Sequence, residues 1–423
     1  MIRCLEGNRA HGPAVGVKQK QFVHSGVFFL LLALVFTVSM GYGIVLPVLP
    51  AYLEGLPASA GRFSVPWHTG LLTGTYMLAL FLFAPLWGCV SDRIGRRRVI
   101  LLGLAGFVGA MLWFALARGV VSAYAARVLA GVCAAAVLPV VLAWVGDVGE
   151  SRTRAQAFAW LSAAGALGFL FGPALGGWVA SIESIGSPTA LPLPFYATAA
   201  LAGGMWLAAY LGLVDNPLRR APEETSQPNA APLLGLLALS LLVMFGIGSV
   251  EVGLALQGQQ VLNLRPREIG WMFAECSLVM LSVNVALFWT RLLERAAGAS
   301  VIAVGIALAV SGLAVLGQHR GIAPMYLGVS LTAAGTGLVL PTVAYLAAGA
   351  SQRRLGRTMG GLTAAAGLGQ TIGSAASGWL FSLVAQVSFT WLSLPLLATL
   401  GLLLARPDWW SRQADPRGVS RAS

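Results

Sequence analysis

The chain has 423 residues, 57% of them hydrophobic and only 10% charged, with a formal net charge of +12. A soluble domain carries about 25% charged residues, so the composition excludes a soluble globular fold and marks an integral membrane protein. A basic excess can also mean nucleic acid, but here its placement along the chain assigns it to membrane topology.

About 20 apolar residues cross a bilayer as helix. Twelve such stretches follow one another, at 25–47, 69–90, 99–117, 121–146, 157–180, 195–214, 233–256, 269–290, 299–317, 323–348, 359–384 and 388–405. Residues 1–24 form a polar tail, and the first span is too long for a signal-peptide core, so no cleavage is expected. Six spans make a first bundle at 25–214. The stretch "DNPLRRAPEETSQPN" (Asp215–Asn229) reads as a linker over 215–231, six more spans fill 232–405, and 406–423 is a second tail. With the N-terminus inside, 21 of the 27 basic residues lie on the cytoplasmic side. Only Arg62, Arg118, Arg265, Arg267 and Arg320 fall outside, and Arg127 falls within a span. This positive-inside bias predicts two cytoplasmic termini in a plasma or inner membrane. Trp67, Trp178, Trp206, Trp409 and Trp410 sit near the expected interfaces as anchors.

Between spans two and three lies "WGCVSDRIGRRRVIL" (Trp87–Leu101). Asp92 stands at the end of span two, where the helix dipole is negative and an acid is disfavoured unless arginines or another helix's N-terminus compensate it. Arg93, Arg96 and Arg97 are candidate partners, and so is the start of span eleven. Topology anchoring alone would require neither Asp92 nor Gly95. In span five, Gly168, Gly172, Gly176 and Gly177 suit close helix approach, and Pro173 removes a backbone donor.

Ionisable groups inside spans are costly and functional by default. They are Arg127 in span four, Glu251 in span seven and Glu275 in span eight, each ~8–9 Å below the outer surface at ~1.5 Å per residue. In one reading Glu251 and Glu275 carry protons while Arg127 tunes a carboxylate or touches substrate. In a second, an Arg127–glutamate pair closes an external gate. In a third, all three are wet vestibule residues. Asp147, at the inner end of span four, reads as interfacial. Tyr76, Asn284 and Gln370 are neutral polar candidates for the cavity wall or for interhelical hydrogen bonds.

The halves echo each other. "LGFLFGPALGGW" (Leu167–Trp178) aligns with "LGQTIGSAASGW" (Leu368–Trp379) at an offset of 201, and "VLP" recurs at Val137–Pro139 and Val339–Pro341. "GYGIVL" (Gly41–Leu46) pairs with "GIGSVE" (Gly246–Glu251) at an offset of 205, setting Glu251 where Leu46 stands in the first half. The expected fold is an all-α membrane protein, with twelve transmembrane helices in two pseudo-symmetric six-helix bundles. Duplicated bundles place a substrate site near the midplane between them.

Gly88, Asp92, Arg93, Gly95, Arg96 and Arg97 spell G-x-x-x-D-R-x-G-R-R, which resembles the signature loop of the major facilitator superfamily. "TGTYMLALFLFAPLWGCVSDR" and "MGYGIVLPVLPAYL" (Met40–Leu53) resemble the second and first helices of its twelve-span drug:proton antiporters. Arg127 with Gly131 is similar to the fourth-helix element, and Gly168, Gly172, Pro173, Gly176 and Gly177 to the fifth-helix motif of exporters. The resemblance implies a secondary transporter working by alternating access, with the signature loop latching the bundles when the cytoplasmic side is closed. Two departures stand out. The corresponding loop of the second half, "TRLLERAAGAS" (Thr290–Ser300), keeps Arg291, Glu294 and Arg295 but not the motif's order, and the first span lacks the acid that many drug exporters carry there.

Other classes are disfavoured. Lys18 and Lys20, neither preceded by glycine, cannot build a nucleotide-binding Walker loop. His11, His24, His68 and His319 lie in tails or loops, and Cys4, Cys89, Cys133 and Cys276 have no metal or redox spacing. The expectation is therefore a non-enzymatic, proton-coupled exporter of a small organic or drug-like molecule. It would need no cofactor, metal or nucleic acid, and would act as a monomer in contact with substrate, protons and lipid. An importer or facilitator on the same fold, and a non-transporting membrane sensor or assembly partner, are the alternatives.

Overall fold

A computed structural model describes residues 26–56, 64–147, 151–183, 192–214, 231–290, 292, 297–318, 321–350 and 355–405. Helices are α1 (Gly26–Val45), α2 (Leu49–Gly55), α3 (Val65–Ile94), α4 (Arg96–Ala115), α5 (Val120–Ala135), α6 (Leu138–Asp147) and α7 (Ser151–Glu183). They continue as α8 (Leu193–Gly212), α9 (Ala231–Leu256), α10 (Pro266–Thr290), α11 (Gly298–Gln318), α12 (Ile322–Ala350), α13 (Leu355–Val384) and α14 (Ser388–Ala405). No strand occurs among the described residues. The twelve spans correspond to these helices, α1 carrying α2 at its end and α5–α6 sharing one span. Both predicted tails and nearly all of the predicted linker lie outside the described residues, as do Arg291, Glu294 and Arg295.

Ten segments among the described residues have both the length and the hydropathy to cross a membrane. The remaining two spans, α8 and α13, have 20 and 30 residues, enough to cross at ~1.5 Å per residue. The glycines, serines and threonines of α13 lower its hydropathy, and it packs most closely on α9 and α3.

Prolines and glycine shape the joints. Pro47 lacks a donor, so α1 ends in turns closed by Leu46 N–H to Gly43 O and Val48 N–H to Val45 O, both 3.2 Å, before α2 resumes. Pro139 stands just after the turn that divides α5 from α6, whereas Pro341, in the same tripeptide, lies inside an unbroken α12. Gly95 alone separates α3 from α4, at φ 99° and ψ 142°, a conformation that side chains oppose. That is the physical requirement behind the glycine of the signature loop.

In the first bundle α1 packs on α7 and α8, α3 on α5, and α4 on α5 and α8. In the second, α9 packs on α13 and α14, α10 on α12, and α11 on α12 and α14. Every pair in one list has its counterpart in the other. The bundles meet through α3 with α13 and α7 with α10, which again exchange under the pseudo-two-fold.

Glycine stripes set how closely these helices approach. A Cβ on Gly168, Gly172 or Gly176 would overlap the carbonyl oxygens of Phe36, Met40 or Ile44 in α1. Gly369 and Gly373 stand in the same relation to Leu241 and Phe245 of α9, and Ser377 donates to Ser249 O at 2.8 Å. Gly177 faces the other bundle, against Pro266 and Arg267, while its counterpart Gly378 meets Pro66 and Gly70. Gly270 in turn meets Pro173.

Candidate functional site

The arginine-bearing junction of α3 and α4 defines a basic end of the molecule, and the opposite end is the far end. Close contacts between bundles cluster in the far half. They include Gly177 with Pro266, Gly270 with Pro173, Gly70 with Ser374, and Gly378 with Pro66.

Beside these contacts a cavity of about 210 Å³ lies between the bundles. Its wall is mostly apolar, with Leu46, Phe169, Val250, Leu254, Phe273 and Met280 among its members, and it is broken by Glu251, Gln370 and Asn284. Leu46 and Glu251, paired by the 205-residue offset, line the same cavity. Of the sequence-predicted polar candidates, Asn284 and Gln370 are on this wall. Tyr76 is not: it is 1% exposed, inside the first bundle.

Glu251 is held from both bundles. Tyr42 of α1 donates its hydroxyl to Oε2 at 2.8 Å, and Gln370 Nε2 of α13 reaches Oε2 at 2.9 Å and Oε1 at 3.1 Å. Gln370 Nε2 also lies 3.4 Å from the Tyr42 hydroxyl. The Tyr42 ring packs on Tyr76 at 5.0 Å and edge-on to Phe169 at 5.5 Å. Sequence reading missed Tyr42. The one available signal was a tyrosine between two helix-contact glycines in "GYG".

Arg127 is fully buried, and its Nε, Nη1 and Nη2 have no hydrogen-bond partner among the described residues. It faces rings instead, with its Cζ 4.7 Å from the centroid of Tyr76, 5.7 Å from Phe114 and 5.9 Å from Tyr42. No Arg127–glutamate ion pair occurs among the described residues: Tyr42 stands between Arg127 and Glu251.

The shared depth of the three ionisable groups also needs correction. Helix α9 continues through a π-helical turn at Gln257–Val261, so Glu251 lies ten residues inside its span, ~15 Å at ~1.5 Å per residue. That is near the middle of a ~30 Å hydrocarbon core. Arg127 is only seven residues into α5 and Glu275 nine into α10. Glu275 faces α12, where Ser330 donates to its Oε1, and its neighbour Cys276 lines the cavity.

The signature loop holds itself together. Arg96 pairs with Asp92 Oδ1 at 2.6 Å and also donates to Ser91, and Arg97 reaches Tyr210 O at 2.8 Å with its guanidinium over that ring. Arg93 closes the last turn of α3, and Gly88 has open space around it. No group of three His, Cys, Asp or Glu side chains among the described residues could hold a metal.

Residues 31–318 match the Major Facilitator Superfamily as a family, which is more than half of the chain. The chain belongs to the Major Facilitator Superfamily. Superfamily relatives include Multidrug resistance protein 2 of Bacillus subtilis (strain 168), 26% identical over 275 residues, which are 62% of this chain and 66% of that protein. Quinolone resistance protein NorA of Staphylococcus aureus (strain Mu50 / ATCC 700699) is 26% identical over 252 residues, 57% of this chain and 61% of that one. The chain thus spans just under two thirds of the length of these relatives. Among solved superfamily folds, a bacterial homologue of the human lysosomal transporter Spinster, inward-facing and unoccupied, superposes with a TM-score of 0.72 at 15% identity, covering 94% of this chain and 99% of that one. The human organic anion transporter MFSD10 (TETRAN) gives 0.67 at 23% identity, with 89% and 98% covered. The superfamily is one of membrane transporters and not of enzymes.

Proposed function

We propose that this superfamily member is a proton-coupled exporter of a small amphipathic organic molecule, working by alternating access with its basic end in the cytoplasm. The observation that carries this reading is Glu251, a carboxylate on the cavity wall whose hydrogen-bond donors come from opposite bundles. When the bundles rock, Tyr42 and Gln370 cannot both keep their places on Glu251. Its surroundings, and with them its proton occupancy, change with conformation. The apolar wall suits the hydrophobic body of a substrate, and Glu251, Gln370 and Asn284 supply the few polar contacts that orient one.

The arginines at the α3–α4 junction support the sidedness. With the basic end cytoplasmic, the packed far half favours an inward-facing reading of this arrangement. The printed names of the bacterial relatives, multidrug and quinolone resistance proteins, favour a drug-like substrate and outward transport.

The test is transport in proteoliposomes under an imposed pH gradient. Glu251→Gln is expected to lose uphill transport while retaining substrate exchange at equal pH on both sides. Uphill transport at the parent rate in Glu251→Gln would rule the reading out.

A further inference from the structure

At the far end, outside the cavity, one hydrogen bond joins the bundles directly: Gln259 Nε2 donates to Glu54 Oε2 at 2.8 Å. The two residues stand 205 apart, the same offset that relates Gly41–Leu46 to Gly246–Glu251. Glu54 and Gln259 are therefore the same position in the two halves of the repeat, meeting each other across the pseudo-two-fold. At such a position one rocking motion moves both partners away from the axis alike.

Both residues sit on irregular backbone. Glu54 is on α2, a helix of seven residues cut off from α1 by the turn at Pro47. Gln259 is on the π-helical turn Gln257–Val261, which ends four residues before α10 begins and is followed by Asn263 at φ 51°. Single π turns recur at functional sites, where they displace a side chain from its regular helical position. Glu54 is exposed, while the remaining oxygen of Gln259, Oε1, is buried with no partner among the described residues.

We infer that the Glu54–Gln259 hydrogen bond is a far-end gate latch: a contact between symmetry-equivalent positions that holds the far side closed and breaks when that side opens. It is distinct from Glu251 in place and in chemistry, since it needs an acceptor facing a donor and no proton exchange. The tight glycine contacts of α3 with α13 and of α7 with α10 flank the axis on either side.

The experiment measures a distance, so it stands apart from any transport assay. Spin labels on Arg118→Cys in one bundle and Ala323→Cys in the other, both exposed at the far end, report the far-side separation by pulsed electron resonance. The native cysteines are replaced by serine. Gln259→Glu sets two carboxylates against each other and is expected to raise the long-distance population about threefold, the size of effect a partly exposed polar pair can give. Adding Glu54→Gln to that variant exchanges donor and acceptor across the axis, and is expected to restore the parent distribution. Glu54→Ala alone should open the far side as Gln259→Glu does. An unchanged distribution in Gln259→Glu, or opening that the second substitution fails to reverse, would overturn the latch.

Discussion

A guanidinium sealed from solvent, with none of its three nitrogens hydrogen-bonded among the described residues, needs another source of stabilisation, and Arg127 finds it in three ring faces. Each cation–π contact is worth ~0.5–2 kcal/mol, against a desolvation cost of several kcal/mol for one buried ion, so the rings roughly offset the burial. The planar group matters as much as the charge. Arg127→Lys keeps the charge but cannot lie flat on Tyr76, and is expected to lower stability by ~1–3 kcal/mol. Thermal unfolding in detergent checks this, with Arg93→Lys on the surface as a neutral comparison. Tyr42 links this cluster to the carboxylate. Tyr42→Phe retains the ring beneath Arg127 and removes only the donor to Glu251. A hydrogen bond to a charged group is worth ~1.5–3 kcal/mol, so proton-driven transport should fall about tenfold or more, with expression retained and only a small drop in unfolding temperature.

Among the elements, α7 shows how one glycine motif serves two interfaces. Gly168, Gly172 and Gly176 recur every four residues, so they lie along one face and admit the carbonyls of α1. Gly177, one residue on, turns to α10 in the other bundle. Gly172→Leu is therefore expected to damage the first bundle itself, seen as a lowered unfolding temperature. Gly177→Leu should leave unfolding nearly unchanged but wedge the far half apart, seen as increased labelling of far-side cysteines. Equal behaviour of the two variants would contradict this division. The spans were legible because each is about 20 apolar residues between polar ends, and the break after α1 has a visible cause in Pro47. The π-helical turn was not legible: "LALQGQQVL" (Leu254–Leu262) holds no proline, and its one glycine, Gly258, signals a helix end as readily as a π turn. Missing it cost the depth of Glu251.

At the scale of the whole molecule, the two-bundle plan was readable because duplication leaves constant offsets, and those offsets reappear as matched contacts in the fold. The site was readable in part. Glu251 and Gln370 stand out as polar residues in apolar helices, whereas their meeting with Tyr42 spans 209 residues for Glu251 and 328 for Gln370. No local pattern encodes such a pairing, and an aromatic residue in a membrane helix looks like ordinary core. The signature loop belongs to this scale as well. In this far-closed arrangement Asp92 is 60% exposed and spends its charge on Arg96 within its own loop, an ion pair worth ~0–1 kcal/mol, so the pair adds little to stability here. If the loop latches the basic end when it closes, as the family resemblance implies, Asp92→Asn is expected to abolish most transport with membrane insertion and unfolding unchanged. Normal transport by Asp92→Asn would reduce the loop to a topology anchor. The central claim is that Glu251 carries the coupled proton, and substrate-induced proton release from purified protein in weakly buffered detergent solution tests it most directly. The parent and Glu275→Gln should release protons on substrate addition, and Glu251→Gln should bind substrate without releasing any. Proton release by Glu251→Gln equal to that of the parent would contradict the claim.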